Sequence, residues 1–172
     1  RDSPCVTDTL RALEMVVERF GVRSIADIPC GDFNWIDAFL DRRPELSYVG
    51  FDIVRPLIDE NLKRGTRYEF GVLDITESVP PRVDLILCKD LLNHLSDVDV
   101  RKALANFARS GSGLLLASNN FGRPNECLAG NEGGLSLHLD ITAPPFNYPG
   151  PIWNHHYLGL WKLSELPAAA GP

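Results

Sequence analysis

Residues Ser24 to Trp35 read SIADIPCGDFNW, and the fold turns on this stretch. Ser24 to Ile28 is a short strand-forming run with an acid, Asp27, near its end. Pro29, Cys30 and Gly31 break that run, because proline removes a ladder donor and glycine frees the backbone to turn. Asp32 and Asn34 can each cap a helix, and Trp35, Ile36, Phe39 and Leu40 follow at helical spacing. The stretch therefore reads as strand, sharp turn, helix. In an open α/β sheet such a turn lies at the carboxyl edge of a central strand, where ligands bind. Gly31 has no β-carbon, so a ligand can approach the backbone there. An ordinary strand–helix connection carries the same signature, and the neighbouring segments decide between the two.

Those segments repeat the pattern. Upstream, Thr7 or Asp8 caps a helix whose Leu10, Leu13, Val17 and Phe20 share one face, and Gly21 ends it. Downstream, Ser47 to Phe51 is a second strand, with Asp52 at its end. Pro56 opens a helix that runs to Gly65. Arg67 to Leu73 is a third strand, followed by Asp74. Val83 to Cys88 is a fourth, nearly all apolar, as expected where helices cover both faces. Ser96 and Asp99 make a capping-box pattern before a helix through Val100, Leu104 and Phe107. Gly111 to Gly113 turns the chain into a fifth strand, Leu114 to Ser118. Alternating strands and helices predict a Rossmann-like three-layer α/β/α sandwich with a mostly parallel sheet. After Asn119 the chain is rich in Gly, Pro and Asn, with one apolar run from Leu135 to Ile141. Tyr157 to Leu163 is a last strand, expected to pair antiparallel with the fifth.

Length and composition set the bounds. At 172 residues the chain is expected to form one domain: residues 1–118 a cofactor-binding half, 119–166 substrate-side loops and final strands, 167–172 a disordered tail. The net charge of −6, with no Lys/Arg cluster, argues against nucleic acid as a partner. No apolar run is long enough to span a bilayer, so no membrane partner is expected. The four cysteines are far apart and form no CxxC pair, which fits a reducing, cytoplasmic setting better than a disulfide framework or a zinc site.

Three successive strands end in carboxylates, Asp27, Asp52 and Asp74, and a fourth ends in Cys88-Lys89-Asp90. In a parallel sheet these ends lie side by side. An acid after the second strand suits the two hydroxyls of a ribose, and one after the third suits an adenine amino group. Any one of them alone is more commonly a helix cap or a solvated loop acid.

The series IADIPCGDFNW, YVGFDIV, FGVLDIT and VDLILCKDLLNHLS resembles motifs one to four of the class I S-adenosylmethionine-dependent methyltransferases, over about Ser24 to Ser118. The usual first motif is DxGxGxG. Here Asp27 and Gly31 are present, while Pro29 and Phe33 replace the outer glycines, as in a bacterial subset with an A-P-C-G-D-F-N-W signature. APPFNYP and LGLWKL resemble the same subset. The resemblance implies S-adenosyl-L-methionine as cofactor. It implies that Asp27, Pro29, Cys30, Gly31, Phe33 and Trp35 surround the methionine part, and Asp52, Ile53 and Val54 the ribose and adenine. Asp74 and Ile75 would then hold the adenine edge, and Lys89 and Asp90 the floor near the sulfonium. Pro29 and Phe33 crowd the turn, which favours a cofactor without pyrophosphate, and no GxxxxGK[ST] is present.

With an activated donor, catalysis reduces to positioning and removal of a proton from the acceptor. His94, six residues after the fourth strand, is the first base candidate on its near-neutral pKa, and Asp90 is the second. His94 can equally be a half-buried histidine holding the Leu91–Leu95 turn. Asn119, Phe121, Asn147 and Trp153, with Phe146 and Tyr148, are the candidates for an acceptor wall, or for a loop packing its own small core. The implied reaction is O-methylation of a small-molecule or saccharide acceptor. The alternative is a catalytically silent S-adenosylmethionine-binding partner subunit or sensor. No metal is expected: His155 and His156 are adjacent, and on a strand adjacent side chains point to opposite faces.

Overall fold

The computed structural model describes residues 4–126 and 137–168. Helix α1 (Pro4–Phe20) leads into β1 (Ser24–Asp27), α2 (Asp37–Asp41), β2 (Ser47–Asp52), α3 (Arg55–Lys63), β3 (Glu69–Val72) and β4 (Leu85–Cys88). Then follow α4 (Asp97–Arg109), β5 (Leu114–Ser118), β6 (Trp153–His155) and β7 (Leu158–Lys162). The strands form one sheet in the order β3-β2-β1-β4-β5-β7-β6. β1 to β5 are parallel, and β7 runs antiparallel between β5 and β6. The expected sandwich is therefore present, with its antiparallel last strand paired to β5. The strand at the far edge, β6, is one the sequence did not reveal.

The sheet divides two cores, and the period-two alternation of its strands explains how. In β4, Leu85 and Leu87 face α1 and α2, while Ile86 and Cys88 face α4. Leu114 and Leu116 of β5 point to the first side and Leu115 and Ala117 to the second. All four residues of β4 are buried, which is why that strand reads as a continuous apolar run. The caps are mostly as expected. Ser96 Oγ accepts the Asp99 amide at 3.2 Å, and Pro56 sits in the first turn of α3. Helix α2 differs. It starts only at Asp37 and has no side-chain cap, because Asp32 accepts from the Asn34 amide and side chain within the preceding loop.

The long segment after β5 is not a loose loop where it is described. It is organised around Asp140, which is 3% exposed. Its carboxylate accepts from Asn119 Nδ2, the Gly122 amide and both the amide and hydroxyl of Thr142. Burial raises the Asp140 pKa, but these donors outweigh that and hold it below the usual carboxylate value. Leu139 and Ile141 meanwhile fill the α4-side core. Part of the Leu135–Ile141 run and the tail from residue 169 lie outside the described residues.

Candidate active site

Parallel register brings the strand ends together. Asp27 stands beside Gly50 of β2 and Leu87 of β4, and Asp52 beside Val72 of β3. Past these ends lies a narrow cavity of about 80 Å³. Asp52 and Asp74 supply its acids, and Pro29, Ile53, Leu73 and Ile75 its apolar walls, closed by Leu91 and Leu95 from the segment after β4. Ile53 is 62% exposed, an apolar side chain at the lip of the cavity. Of the residues singled out in the sequence, Pro29, Asp52, Ile53, Asp74 and Ile75 are thus brought to one place.

The acids there are held by the backbone. Asp52 accepts the Gly31 amide at 3.1 Å and the Val54 amide at 2.9 Å. Asp74 Oδ1 accepts from the Thr76 amide and hydroxyl, and Oδ2 has no partner among the described residues. Gly31 has φ +55°, and a β-carbon placed on it would meet no atom within 4 Å. Its backbone faces open space, as a close ligand approach requires.

Asp27 lies beneath, fully buried. It accepts from the Tyr48 hydroxyl at 2.9 Å, and its Oδ1 has no partner among the described residues. Burial pushes its pKa up to about 8; the Tyr48 bond and Lys89 pull it down, and Asp52 adds to the rise. The turn's side chains go elsewhere. Phe33 is buried against Tyr48, Tyr68 and Phe70, with ring centroids 5.1–5.5 Å away. Cys30 is buried beneath Gly50, and Trp35 packs on the α1-side core. Val54 is an exposed residue preceding α3. For Cys30 and Phe33, whose side chains are buried, only the backbone is left to contribute to a ligand.

A second cavity, of about 270 Å³, opens beyond β4 and β5 and is lined by Asp90, Ser118, Asn120 and Tyr157 among others. Asp90 has φ +54°. Its amide donates to Ser118 Oγ at 2.9 Å, and Oδ1 accepts from that hydroxyl at 3.0 Å. Lys89 pairs with the other carboxylate oxygen. The cavity shares Asn120, His138 and Tyr157 with a larger neighbour of about 660 Å³, which extends to Asp8 and His156. His94 sits half-buried on the turn Leu92–His94. Leu91 and Leu95 line the first cavity and Asn93 the second, but His94 lines neither.

The expected acceptor wall divides. Asn119 and Phe121 line the larger cavity, although Asn119 is buried and tied to Asp140 and Ile141. Phe146 and Tyr148 are core residues on the α4 side, and Asn147 is exposed between them with φ +52°. Trp153 lines a separate surface cavity with Met15 and Phe20 of α1. The cavity residues missed in the sequence include Asp8, Asn120, Arg123, His138 and Tyr157, which come from segments far apart in the chain. The expectation that His155 and His156 point apart also fails. His156 takes φ +51° in the turn between β6 and β7, so strand alternation ends at His155 and the rings lie 4.4 Å apart.

Comparison with known proteins bears on this geometry. The "Methyltransferase domain" family matches residues 26–110. No curated protein matches the sequence. Among solved structures, the chain is similar to the O-methyltransferase from the trans-AT PKS multienzyme of Brevibacillus brevis in complex with S-adenosyl-L-homocysteine. That match has TM-score 0.57 and 16% identity, over 77% of this chain and 47% of that one. It is also similar to the magnesium protoporphyrin IX methyltransferase of Synechocystis PCC 6803 with bound S-adenosylhomocysteine (TM-score 0.55, 14% identity, 69% and 58% covered). A third is the S-adenosylmethionine-bound amino pentose methyltransferase from Micromonospora echinaspora (TM-score 0.53, 18% identity, 66% and 48% covered). The matched part spans about half of each of those chains. At these identities the likeness is one of fold.

Proposed function

We propose that this chain, whose residues 26–110 match the methyltransferase-domain family, is a class I S-adenosylmethionine-dependent methyltransferase and methylates an oxygen of a small-molecule or sugar-like acceptor. The observation that carries the reading is the pairing of acids and apolar residues at the first cavity. Asp52 and Asp74 flank a slot walled by Ile53, Leu73 and Ile75, which matches the hydroxyls, amino group and flat ring of an adenosine. The partnerless Asp74 Oδ2 and the open backbone at Gly31 fit the same ligand. Two of the similar structures act on small molecules by their own descriptions, and this supports the acceptor class.

When bound, S-adenosylmethionine supplies a methyl group already activated on a sulfonium. The chain's own task is to hold the acceptor in line and to remove its proton as the oxygen–carbon bond forms. We assign that proton to Asp90. It lines the second cavity, with Ser118 holding one carboxylate oxygen and Lys89 the other. His94 remains the other base candidate from the sequence, but it lacks the cavity position.

The test is a screen with labelled cofactor over pooled metabolites and saccharides, run on the wild type, Asp90→Asn and His94→Ala. Turnover that falls about a hundredfold in Asp90→Asn, with cofactor affinity kept, supports the assignment. The same loss in His94→Ala alone moves the proton to His94. Cofactor binding without turnover of any acceptor leaves the binding-only partner or sensor as the reading.

A further inference from the structure

We propose that Asp8, His155 and His156 form a binding site for one divalent transition metal ion, of the zinc or cobalt type. A ligand atom from each lies within 4.8 Å of the other two. The three come from separate elements that the fold brings together. Asp8 stands in the second turn of α1, His155 ends β6, and His156 forms the turn into β7. That turn is docked onto α1, since the Tyr157 hydroxyl meets Thr9 Oγ1 at 2.7 Å.

The histidines are already oriented. The His155 ring lies parallel to Trp153, with centroids 6.0 Å apart. Its Nε2 is buried and has no hydrogen-bond partner among the described residues, although a neutral or charged imidazole nitrogen ordinarily finds one. No protein group among the described residues satisfies that nitrogen, and an ion held by the cluster would. His156 stands edge-on to His155, and its Nε2 is 4.0 Å from Asp8 Oδ2. Tetrahedral ligands at the usual zinc distances are about 3.3 Å apart, so closure needs less than about 1.5 Å of movement between any pair. The exposed His156 ring can close its own distances to the other two, and the Asp8 side chain the remaining one. Two imidazoles and one carboxylate suit zinc, cobalt or iron(II) better than calcium or magnesium. Asp8 and His156 both line the 660 Å³ cavity, so an ion held there borders it. This assignment does not depend on the methyl-transfer reading.

The experiment titrates the full chain with cobalt(II) and with zinc, following cobalt absorption and binding heat. Proton NMR of the imidazoles is recorded alongside. One equivalent is expected to bind, with the His155 and His156 ring signals strongly shifted by cobalt. His156→Asn keeps a residue that tolerates the left-handed backbone, and Asp8→Asn keeps the shape. Each is expected to weaken binding by at least the ~10–100-fold that losing even an outer-shell partner costs. His138→Ala, on the same cavity but outside the cluster, is expected to bind as the wild type does. Absence of metal binding by the wild type overturns the site. So does binding that survives in both ligand variants, or cobalt shifts confined to His138 or His94.

Discussion

At the scale of single residues, Asp27 joins the fold to the site. It ends β1 where a parallel sheet places its ligand edge, yet it is buried and titrates near 8. An unfolded aspartate titrates near ~3.9, so between about pH 4 and about pH 8 the native chain holds a proton that the unfolded chain has lost. Stability from this group is therefore greatest at low pH, falls as pH rises through that window and levels off above about pH 8. Asp27→Asn keeps an oxygen acceptor for Tyr48 and removes the ionisation. Denaturant unfolding of both proteins from about pH 5 to about pH 9 is expected to show the wild type losing ground to the variant until about pH 8 and no further. Two parallel curves would mean that Asp27 titrates as it does unfolded.

At the scale of elements, β7 shows how tightly the antiparallel side of the sheet is built. Gly159 lies under the ring of Trp161, and an added β-carbon would collide with that ring and come 2.9 Å from Phe121. Trp161 cannot easily swing away, because its Nε1 donates to the Pro149 carbonyl at 2.8 Å. Gly159→Ala is expected to lower unfolding free energy by about 1–3 kcal/mol, as overpacking does. Gly150→Ala, where a β-carbon meets nothing within 4 Å, is the control, and equal losses in the two would refute the packing account. Elements of this kind were unequally legible in the sequence. β1, β2, β4, β5 and β7 announce themselves because their apolar residues must fill two cores. β6 does not, being a three-residue edge strand with no buried residue. The segment around Asp140 shows no periodicity, since a buried carboxylate and its donors shape it, and no spacing rule encodes such a network. In the site, Asp52, Ile53, Asp74 and Ile75 could be read from strand ends alone, because parallel pairing makes those ends neighbours. The cavities beyond β4 and β5 could not, because their linings draw on segments far apart in the chain: Asp8 of α1 and Tyr157 of the β6–β7 turn meet in one, and Ser118 of β5, His138 and Tyr157 in the other.

At the scale of the whole molecule, the sheet edge carries two kinds of surface. Over β1 to β3 it is an acid-flanked apolar slot, and over β4, β5 and β7 it is a wider polar cavity, with Asp90, paired to Lys89, in its wall. What enters the slot decides the function of the molecule. Ile53 offers a clean probe, because it is exposed, and a surface substitution there is expected to change stability by no more than ~0.5 kcal/mol. The measurement is calorimetric titration of S-adenosylhomocysteine into the wild type and Ile53→Asp, with melting curves on both. The wild type is expected to bind one equivalent and to melt higher as ligand is added. Ile53→Asp is expected to melt at the wild-type temperature without ligand and to bind at least about tenfold more weakly, the ~1.4 kcal/mol that losing most of one apolar contact removes. No heat and no melting shift in the wild type, or equal affinity in the two proteins, would contradict the account.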